Sequence, residues 1–92
     1  MDREAFEELK SSAFPLVGNE KGVYLLFEAD DLVYVGKGWN CLLRVAEHTR
    51  KDSNKIFTSW NFIPVECTEE LRLLEIKLIK ENSPKYNIHH RC

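Results

Sequence analysis

The sequence predicts an α+β domain with the element order helix, strand, strand, helix, strand, helix. Two β-rich segments around a short polar stretch predict a hairpin, and a third segment rich in β-branched and aromatic residues predicts another strand. Three segments in which apolar residues recur at helical spacing surround them. A length of 92 residues fits one domain over residues 1–92, and an apolar fraction of 43% excludes a disordered chain.

The first three elements lie in the acidic N-terminal third of the chain. A short helix is predicted over residues 2–10, with Phe6 and Leu9 on its apolar edge. The hairpin strands are predicted over residues 22–27 and 32–36, joined by a polar turn.

Side-chain alternation in the hairpin makes a prediction about two tyrosines. Pairing of Phe27 with Asp31 would place Tyr24 directly opposite Tyr34, with both rings on one face of the sheet. Ordinary packing of two strand tyrosines is the alternative interpretation. On the second strand, alternation groups Val33 with Val35 on one face and Leu32 with Tyr34 on the other.

The second helix is predicted over residues 39–51. Arg44 and His48 lie one above the other on it because they are four positions apart. Its predicted apolar face consists of Leu42, Val45, Ala46 and Thr49.

A third strand is predicted over residues 56–65, with Pro64 at its end or edge. The last helix is predicted to start with Thr68 as its N-cap and to run to about Asn82. The following Ser-Pro pair stops it, because the residue before a proline disfavours helical backbone.

Glu75 is the most informative residue of this helix, because it falls inside the apolar stripe, four positions after Leu71. A carboxylate there is costly to desolvate unless it has a cation, a metal or an opening to water. Two interpretations are open: a functional carboxylate, or a glutamate at the stripe edge that reaches solvent or pairs with lysine.

The charge distribution limits the classes of partner. The net charge is −2, with +3 in residues 34–55 and +3 in residues 76–92. A chain that held nucleic acid by charge alone would be clearly basic, so strong non-specific binding is not expected. An anionic partner would meet a local basic patch.

The cysteines indicate a reducing compartment, which predicts a cytoplasmic protein. Cys41, Cys67 and Cys92 are an odd number without metal-type spacing, which argues against disulfides and structural zinc. The histidine-containing tail over residues 89–92 is interpreted as a polar terminus and not a metal site. We expect no membrane span and no secretory signal.

Five blocks of the sequence, in order, resemble the GIY-YIG nuclease superfamily over roughly residues 20–88. The first two are Gly22-Val23-Tyr24 and Tyr34-Val35-Gly36-Lys37-Gly38, with valine in place of each isoleucine. The others are Asn40-x-x-x-Arg44-x-x-x-His48, Leu74-Glu75-x-x-Leu78-Ile79 and Pro84-x-Tyr86-Asn87. Each short motif alone is weak, but five in the right order are specific. Within the superfamily, the sequence resembles compact domains such as the incision domain at the N-terminus of the bacterial excinuclease.

The resemblance implies a three-stranded antiparallel sheet flanked by helices, and cleavage of nucleic acid with one divalent ion, Mg²⁺ or Mn²⁺. It implies that Glu75 ligates the metal and that Tyr24 is the general base for the attacking water. It further implies that Tyr34 supports the water or the phosphate and that Arg44 stabilises the pentacovalent phosphate. Lys37, His48 and Asn87 complete the implied catalytic set, the last by helping to shape the site.

The identity of the base is open at this point. A free tyrosine has a pKa of about 10, so Tyr24 needs nearby positive charge to work near neutral pH. Lys37, Arg44 and a metal ion would supply it. His48 is the rival base, because its ordinary pKa of about 6.5 needs no adjustment.

Other candidates concern the substrate. Arg50, Lys51 and Lys55 are expected either to contact phosphates or to form a solvated charged face. Trp39 and Trp60 would be able to stack on bases, but packing in the core or at its rim is the preferred interpretation for both.

The sequence therefore predicts a metal-dependent endonuclease that hydrolyses phosphodiester bonds in DNA. We expect no separate DNA-binding domain, so specificity would come from DNA structure or from a partner protein. The rival is a non-catalytic module on the same fold that binds nucleic acid or protein. Burial of Glu75 against lysine or arginine, with no room for a metal, would favour that rival.

Overall fold

The predicted order of elements is confirmed in a computed structural model of the chain, which describes residues 1–87. The helices are α1 (Arg3–Ser11), α2 (Cys41–His48) and α3 (Thr68–Asn82), and a 3₁₀ turn spans Lys51–Ser53. The strands are β1 (Gly22–Glu28), β2 (Asp31–Gly38) and β3 (Ser59–Pro64). The interpretation of the tail over residues 89–92 lies outside the described residues. No helix within residues 1–87 is long and apolar enough to cross a membrane.

The three strands form one antiparallel sheet in the order β2-β1-β3. The central position of β1 explains its burial, because both of its edges are paired and both of its faces are covered. Val23 and Leu26 are fully buried and Tyr24 is 1% exposed. Pro64 ends β3, as predicted, where its missing N–H costs no ladder bond.

The predicted hairpin register is wrong. Tyr24 lies opposite Gly36, and Leu26 lies opposite Tyr34. Next to the turn, Phe27 pairs with Leu32, one residue later than predicted. A β-bulge next to Leu26 then inserts one extra residue into β2 and adds a second residue to the shift. The shift at Tyr24 is two residues, which returns a side chain to the same face. Both tyrosines therefore still share a face, but as diagonal neighbours.

The two faces of the sheet carry separate apolar clusters. On one face, Tyr24 and Leu26 pack with Val45 of α2. On the other, Val23 packs with Leu71 of α3. Helices α2 and α3 therefore cover opposite faces, and β1 contributes to both cores.

The bulge also overturns the predicted grouping on β2. Val33 packs with Tyr24 on the α2 face, whereas Val35 belongs to the α3 face, together with Leu32. An inserted residue interrupts the strict alternation of a strand, so residues on its two sides change partners.

Helix α2 is shorter than predicted and turns a different side to the sheet. It begins after Asn40, whose side-chain oxygen accepts the N–H of Leu43 at 3.0 Å. Its buried residues are Cys41 and Val45. The other predicted face residues differ in burial: Leu42 is half-buried, whereas Ala46 and Thr49 are exposed. Because the helix starts at Cys41, the residues that face the sheet are Cys41 and Val45, which are four positions apart.

The predicted N-cap of α3 is also wrong, although the predicted end at Asn82 is confirmed. Cys67 is the capping residue, without a side-chain hydrogen bond, and Thr68 is the first helical residue. The hydroxyl of Thr68 instead accepts a hydrogen bond from the Lys21 ammonium at 2.7 Å. A tertiary contact has thus replaced the local cap.

The chain after α3 returns to the outer edge of β2. Asn87, 6% exposed, accepts the N–H of Val35 and donates to its carbonyl, each at 2.9 Å. The Tyr86 N–H donates to the Val33 carbonyl at 3.0 Å. The amide of Asn87 therefore acts as a neighbouring strand would, and it covers part of an edge that would otherwise be unpaired.

Asn87→Ala should destabilise the domain by about 2–3 kcal/mol, because it leaves the N–H and the carbonyl of Val35 without partners at a buried site. Urea unfolding followed by circular dichroism measures the change. Asn82→Ala, at an exposed position on α3, is the matched control, with an expected effect within about 0.5 kcal/mol. Equal stability of the two variants would contradict a structural role for the Asn87 amide.

Candidate active site

Three rings from different elements meet on the α2 face of the sheet. The ring centroids of Tyr24 and Tyr34 lie 6.1 Å apart. His48, in the last turn of α2, lies 5.7 Å from the first ring and 5.1 Å from the second. The Tyr24 hydroxyl and the His48 Nε2 atom are 2.9 Å apart, within hydrogen-bond distance.

Gly36 makes this arrangement possible. It lies opposite Tyr24, and a Cβ atom at this position would overlap the end of the tyrosine ring, including its hydroxyl. The absence of a side chain therefore lets the phenol lie flat across β2 toward His48. The sequence marked Gly36 as part of a motif but did not predict this steric role.

The two partners of this hydrogen bond have pKa values that favour one protonation state. Burial, and next the Tyr34 hydroxyl, raise the pKa of Tyr24 far above its ordinary value, against a smaller opposing effect of Arg44. Burial, Lys55 and Arg44 lower the pKa of His48 below 6.5. At neutral pH a neutral phenol thus lies in hydrogen-bond contact with Nε2 of a neutral imidazole.

Arg44 reaches the site across the end of β2. A Cβ atom at Gly38 would lie 2.7 Å from the Cγ atom of Arg44, so the glycine leaves room for the arginine stem. The guanidinium pairs with Glu47 at 3.1 Å, and both side chains are about half exposed. The spacing of three positions on a helix favours this pair, which the sequence analysis missed. The charge of Arg44 lowers the pKa of both tyrosines, though burial outweighs it.

Glu75 is not buried. Its side chain is 21% exposed, and its Oε1 atom lies 3.7 Å from the Lys37 ammonium, which is 45% exposed. Its charge contributes to the raised pKa of Tyr34, after burial, so the carboxylate acts on the aromatic cluster. This differs from the sealed ion pair that the non-catalytic rival required.

The donor set fits a magnesium ion held largely by water. Within residues 1–87 no group of three or more His, Cys, Asp or Glu side chains could hold a metal. A Mg²⁺ ion bound beside phosphates commonly needs only one or two carboxylates and keeps several waters. Glu75 is partly exposed and its partner Lys37 is exposed enough to turn away, so this single carboxylate can take that role.

The three candidate phosphate contacts separate into two groups. Lys55 lies over the ring of Tyr34, with its ammonium 4.8 Å from the ring centroid. The chain returns to the site there because Ser53 donates to the His48 carbonyl at 2.6 Å and Asn54 adopts left-handed backbone, with φ 61°. Arg50 and Lys51 are exposed before this return, so of the three only Lys55 joins the aromatic cluster.

Asn87 does not reach the aromatic cluster with its side chain, because its amide is used by Val35. It holds β2 at Val35, which lies between Tyr34 and Gly36. Tyr86 was missed as a positioning residue: its hydroxyl accepts the N–H of Ile56 at 3.0 Å. No local pattern in the sequence predicts that long-range contact.

The two tryptophans differ in their exposure to solvent. Trp60 is half-buried and stacks on Phe62, with ring centroids 5.6 Å apart, in agreement with rim packing. Trp39 is 77% exposed, so the expectation that it packs in the core or at its rim is wrong.

The model of the UvrC-like GIY-YIG domain family matches residues 20–88. The chain belongs to this family. Among curated relatives, UvrABC system protein C of Mycoplasma mycoides is 37% identical over 81 residues, which cover 79% of this chain and 14% of the relative. The Streptococcus sanguinis protein of the same name is 36% identical over 89 residues, or 88% of this chain and 15% of the relative. The chain thus spans about a seventh of these relatives.

A solved structure has the same fold over nearly the full length of both chains. The GIY-YIG N-terminal endonuclease domain of UvrC from Thermotoga maritima, as a point mutant bound to its catalytic divalent cation, has a TM-score of 0.66. It is 25% identical and covers 95% of this chain and 98% of that chain. The same domain has been solved with magnesium as the cation, at 24% identity. The predicted fold and family are confirmed, and the Thermotoga domain that shares this fold is an endonuclease domain bound to a divalent cation.

His48 should titrate below pH 6.5, because burial and the charges of Lys55 and Arg44 all oppose its protonation. Proton NMR of the imidazole Hε1 resonance against pH measures this, and His48→Gln identifies the resonance among the three histidines. Lys55→Gln should move the pKa upward, toward the ordinary value. A titration above pH 6.5 in the unchanged protein would contradict the buried, neutral imidazole.

Proposed function

We propose that Tyr24 and His48 together form the proton-accepting unit with which this domain hydrolyses phosphodiester bonds in DNA. The observation that carries the proposal is the 2.9 Å contact between the phenol oxygen and Nε2. A general base must lie within hydrogen-bond reach of the proton that it takes, directly or through one intermediate. The pair provides such a path, with the imidazole as the final acceptor.

Exposure and pKa divide the roles within the pair. Tyr24 is 1% exposed and its pKa is raised, so it is a poor base by itself. His48 is half-buried and neutral at physiological pH. A proton released by the attacking water would therefore end on His48, and Tyr24 would hold the imidazole in the accepting tautomer or pass the proton to it.

The cations around the rings would stabilise the phosphate. Arg44 presents a planar, permanently charged guanidinium beside Tyr24, suited to two phosphate oxygens at once. Lys55, above Tyr34, adds a second positive charge to the cluster. Charge that grows on phosphate oxygens in the transition state is lowered in energy by fixed cations of this kind.

Glu75 is proposed to hold the divalent cation, with Lys37 as the side chain that gives way. A bound Mg²⁺ ion would neutralise phosphate charge and make a coordinated water more acidic. In the Thermotoga domain, variants with one tyrosine changed to phenylalanine or an asparagine changed to alanine are still bound to the cation. Cation binding there survives each of those changes, which supports a carboxylate as the main ligand.

DNA as the substrate, and a partner that supplies specificity, are part of the proposal. The relatives that carry this domain are named as components of a UvrABC system and are about seven times longer than the matched segment. With its net charge of −2, the domain would gain affinity from other parts of such an assembly. We place its action in the cytoplasm, where bacterial DNA lies and where cysteines such as Cys41 and Cys67 stay free.

Glu75→Gln should reduce cleavage by about 10²-fold or more, because it removes the charge that holds the cation beside the phosphate. Nicking of supercoiled plasmid and cleavage of branched oligonucleotides with Mg²⁺ or Mn²⁺ measure the loss. Glu81→Gln, at an exposed position on the same helix, is the matched control and should be unchanged. Equal cleavage by both variants would remove Glu75 from the metal site.

Tyr24→Phe and His48→Gln should each slow cleavage by about 10²- to 10⁴-fold, as expected for loss of a general base or its partner. In the unchanged domain kcat/KM should fall as the pH drops below 6.5, because protonated His48 cannot accept a proton. This acid limb should disappear from the residual activity of His48→Gln. Near-normal cleavage by Tyr24→Phe, with loss only in His48→Gln, would mean that His48 accepts the proton without Tyr24.

A further inference from the structure

We propose that a pocket beside the active site, here called the Trp39 pocket, binds one unstacked nucleobase of the DNA next to the scissile phosphate. The pocket has a volume of about 420 Å³, within the range of about 300–1,000 Å³ typical of small-ligand sites. The side chains that define it are Lys21, Lys37, Trp39, Leu43, Arg44 and Leu71. This inference rests on the proposed function, because it places the base relative to the cleaved phosphate.

Trp39 is the anchor of the pocket. The side chain is 77% exposed although it is the largest apolar group in its part of the chain, directly after β2. Leu43, on the next helix, is 56% exposed beside it. Such a surface is costly in water, and a nucleobase would cover it, because every base has a flat aromatic face that stacks on a side-chain ring.

The indole is held in place before any ligand arrives. The Lys21 ammonium lies 4.2 Å from the ring centroid of Trp39. That ammonium is fixed in turn by the Glu66 carbonyl at 2.9 Å and the Thr68 hydroxyl at 2.7 Å. One face of the indole is therefore occupied by a fixed cation, which leaves the other for a base, and little side-chain freedom is lost on stacking.

The charge of the pocket matches nucleic acid. Three cations, Lys21, Lys37 and Arg44, contribute to its wall, and no carboxylate does. A polynucleotide brings phosphates on both sides of each base, and these would meet the cations at the rim while the base lies on the indole. An apolar peptide would cover the same indole but would bring no anionic group to these cations.

The pocket is continuous with the active site, because Lys37 and Arg44 belong to both. The stem of Arg44 packs on Gly38, the residue before Trp39. A base on the indole would therefore belong to a nucleotide whose phosphate lies within reach of the Arg44 guanidinium. Stacked duplex does not present a base in this way, so the pocket favours DNA with an unpaired nucleotide near the cut.

Binding of short fluorescein-labelled duplexes, measured by anisotropy in EDTA at low salt, tests the proposal without any cleavage. Trp39→Ala should bind a duplex with one unpaired nucleotide about tenfold more weakly than the unchanged domain does, and a fully paired duplex equally well. Trp39→Phe should keep most of the difference between the two duplexes. Leu73→Ala, at an exposed apolar position elsewhere, is the control.

Fluorescence gives a second, direct measurement of the stack. In a Trp60→Phe background Trp39 is the only tryptophan, and the bulged duplex should quench its emission more strongly than the paired one. Equal binding of the bulged duplex by Trp39→Ala and the unchanged domain, equal weakening of both duplexes, or no measurable binding of the bulged duplex would each overturn the proposal. A protein partner as the true occupant would give the first of these results.

Cleavage in Mg²⁺ separates this proposal from the proposed function. Cleavage of the bulged duplex that Trp39→Ala leaves unchanged would refute the base pocket and leave the nuclease intact. Selective weakening of binding by Trp39→Ala, without cleavage by the unchanged domain on any substrate, would establish the pocket and refute the nuclease.

Discussion

The contact between Tyr24 and Gly36 across the hairpin is the constraint on which the site depends. Because Gly36 has no side chain, the phenol can cross β2 and meet His48. The contact exists only in the register that the bulge imposes. The Asn87 amide then holds β2 at Val35, the residue next to Gly36. A network that spans most of the chain thus positions one hydrogen bond.

The surroundings of that hydrogen bond decide what it can do. Burial keeps the phenol protonated, and burial together with two nearby cations keeps the imidazole neutral. The same cations face the place where a phosphate would lie. On α3, a partly exposed carboxylate at Glu75 pairs with a half-exposed lysine, Lys37. An ion pair of this kind contributes little to stability, so it constrains the two side chains weakly.

Local patterns predicted the elements well and the pairings between them poorly. The last helix ends at Asn82 as predicted, because the following Ser-Pro pair acts within a few residues of it. The predicted N-cap of the same helix is wrong, because the Thr68 hydroxyl accepts a hydrogen bond from Lys21, 47 positions away. Tyr24 and Tyr34 share a face as predicted, although the predicted register is wrong, because the shift at Tyr24 is two residues.

The sequence by itself determined the order of elements, the family and the chemical groups of the site, since periodicity, turn residues and motif spacing are properties of neighbouring residues. Tertiary structure alone decided the bulge, the exposure of Trp39, and the use of Asn87 to pair with a strand 52 positions away. It also decided the protonation states of Tyr24 and His48. Burial and long-range pairing set these features, and neither is encoded in any short segment of the chain.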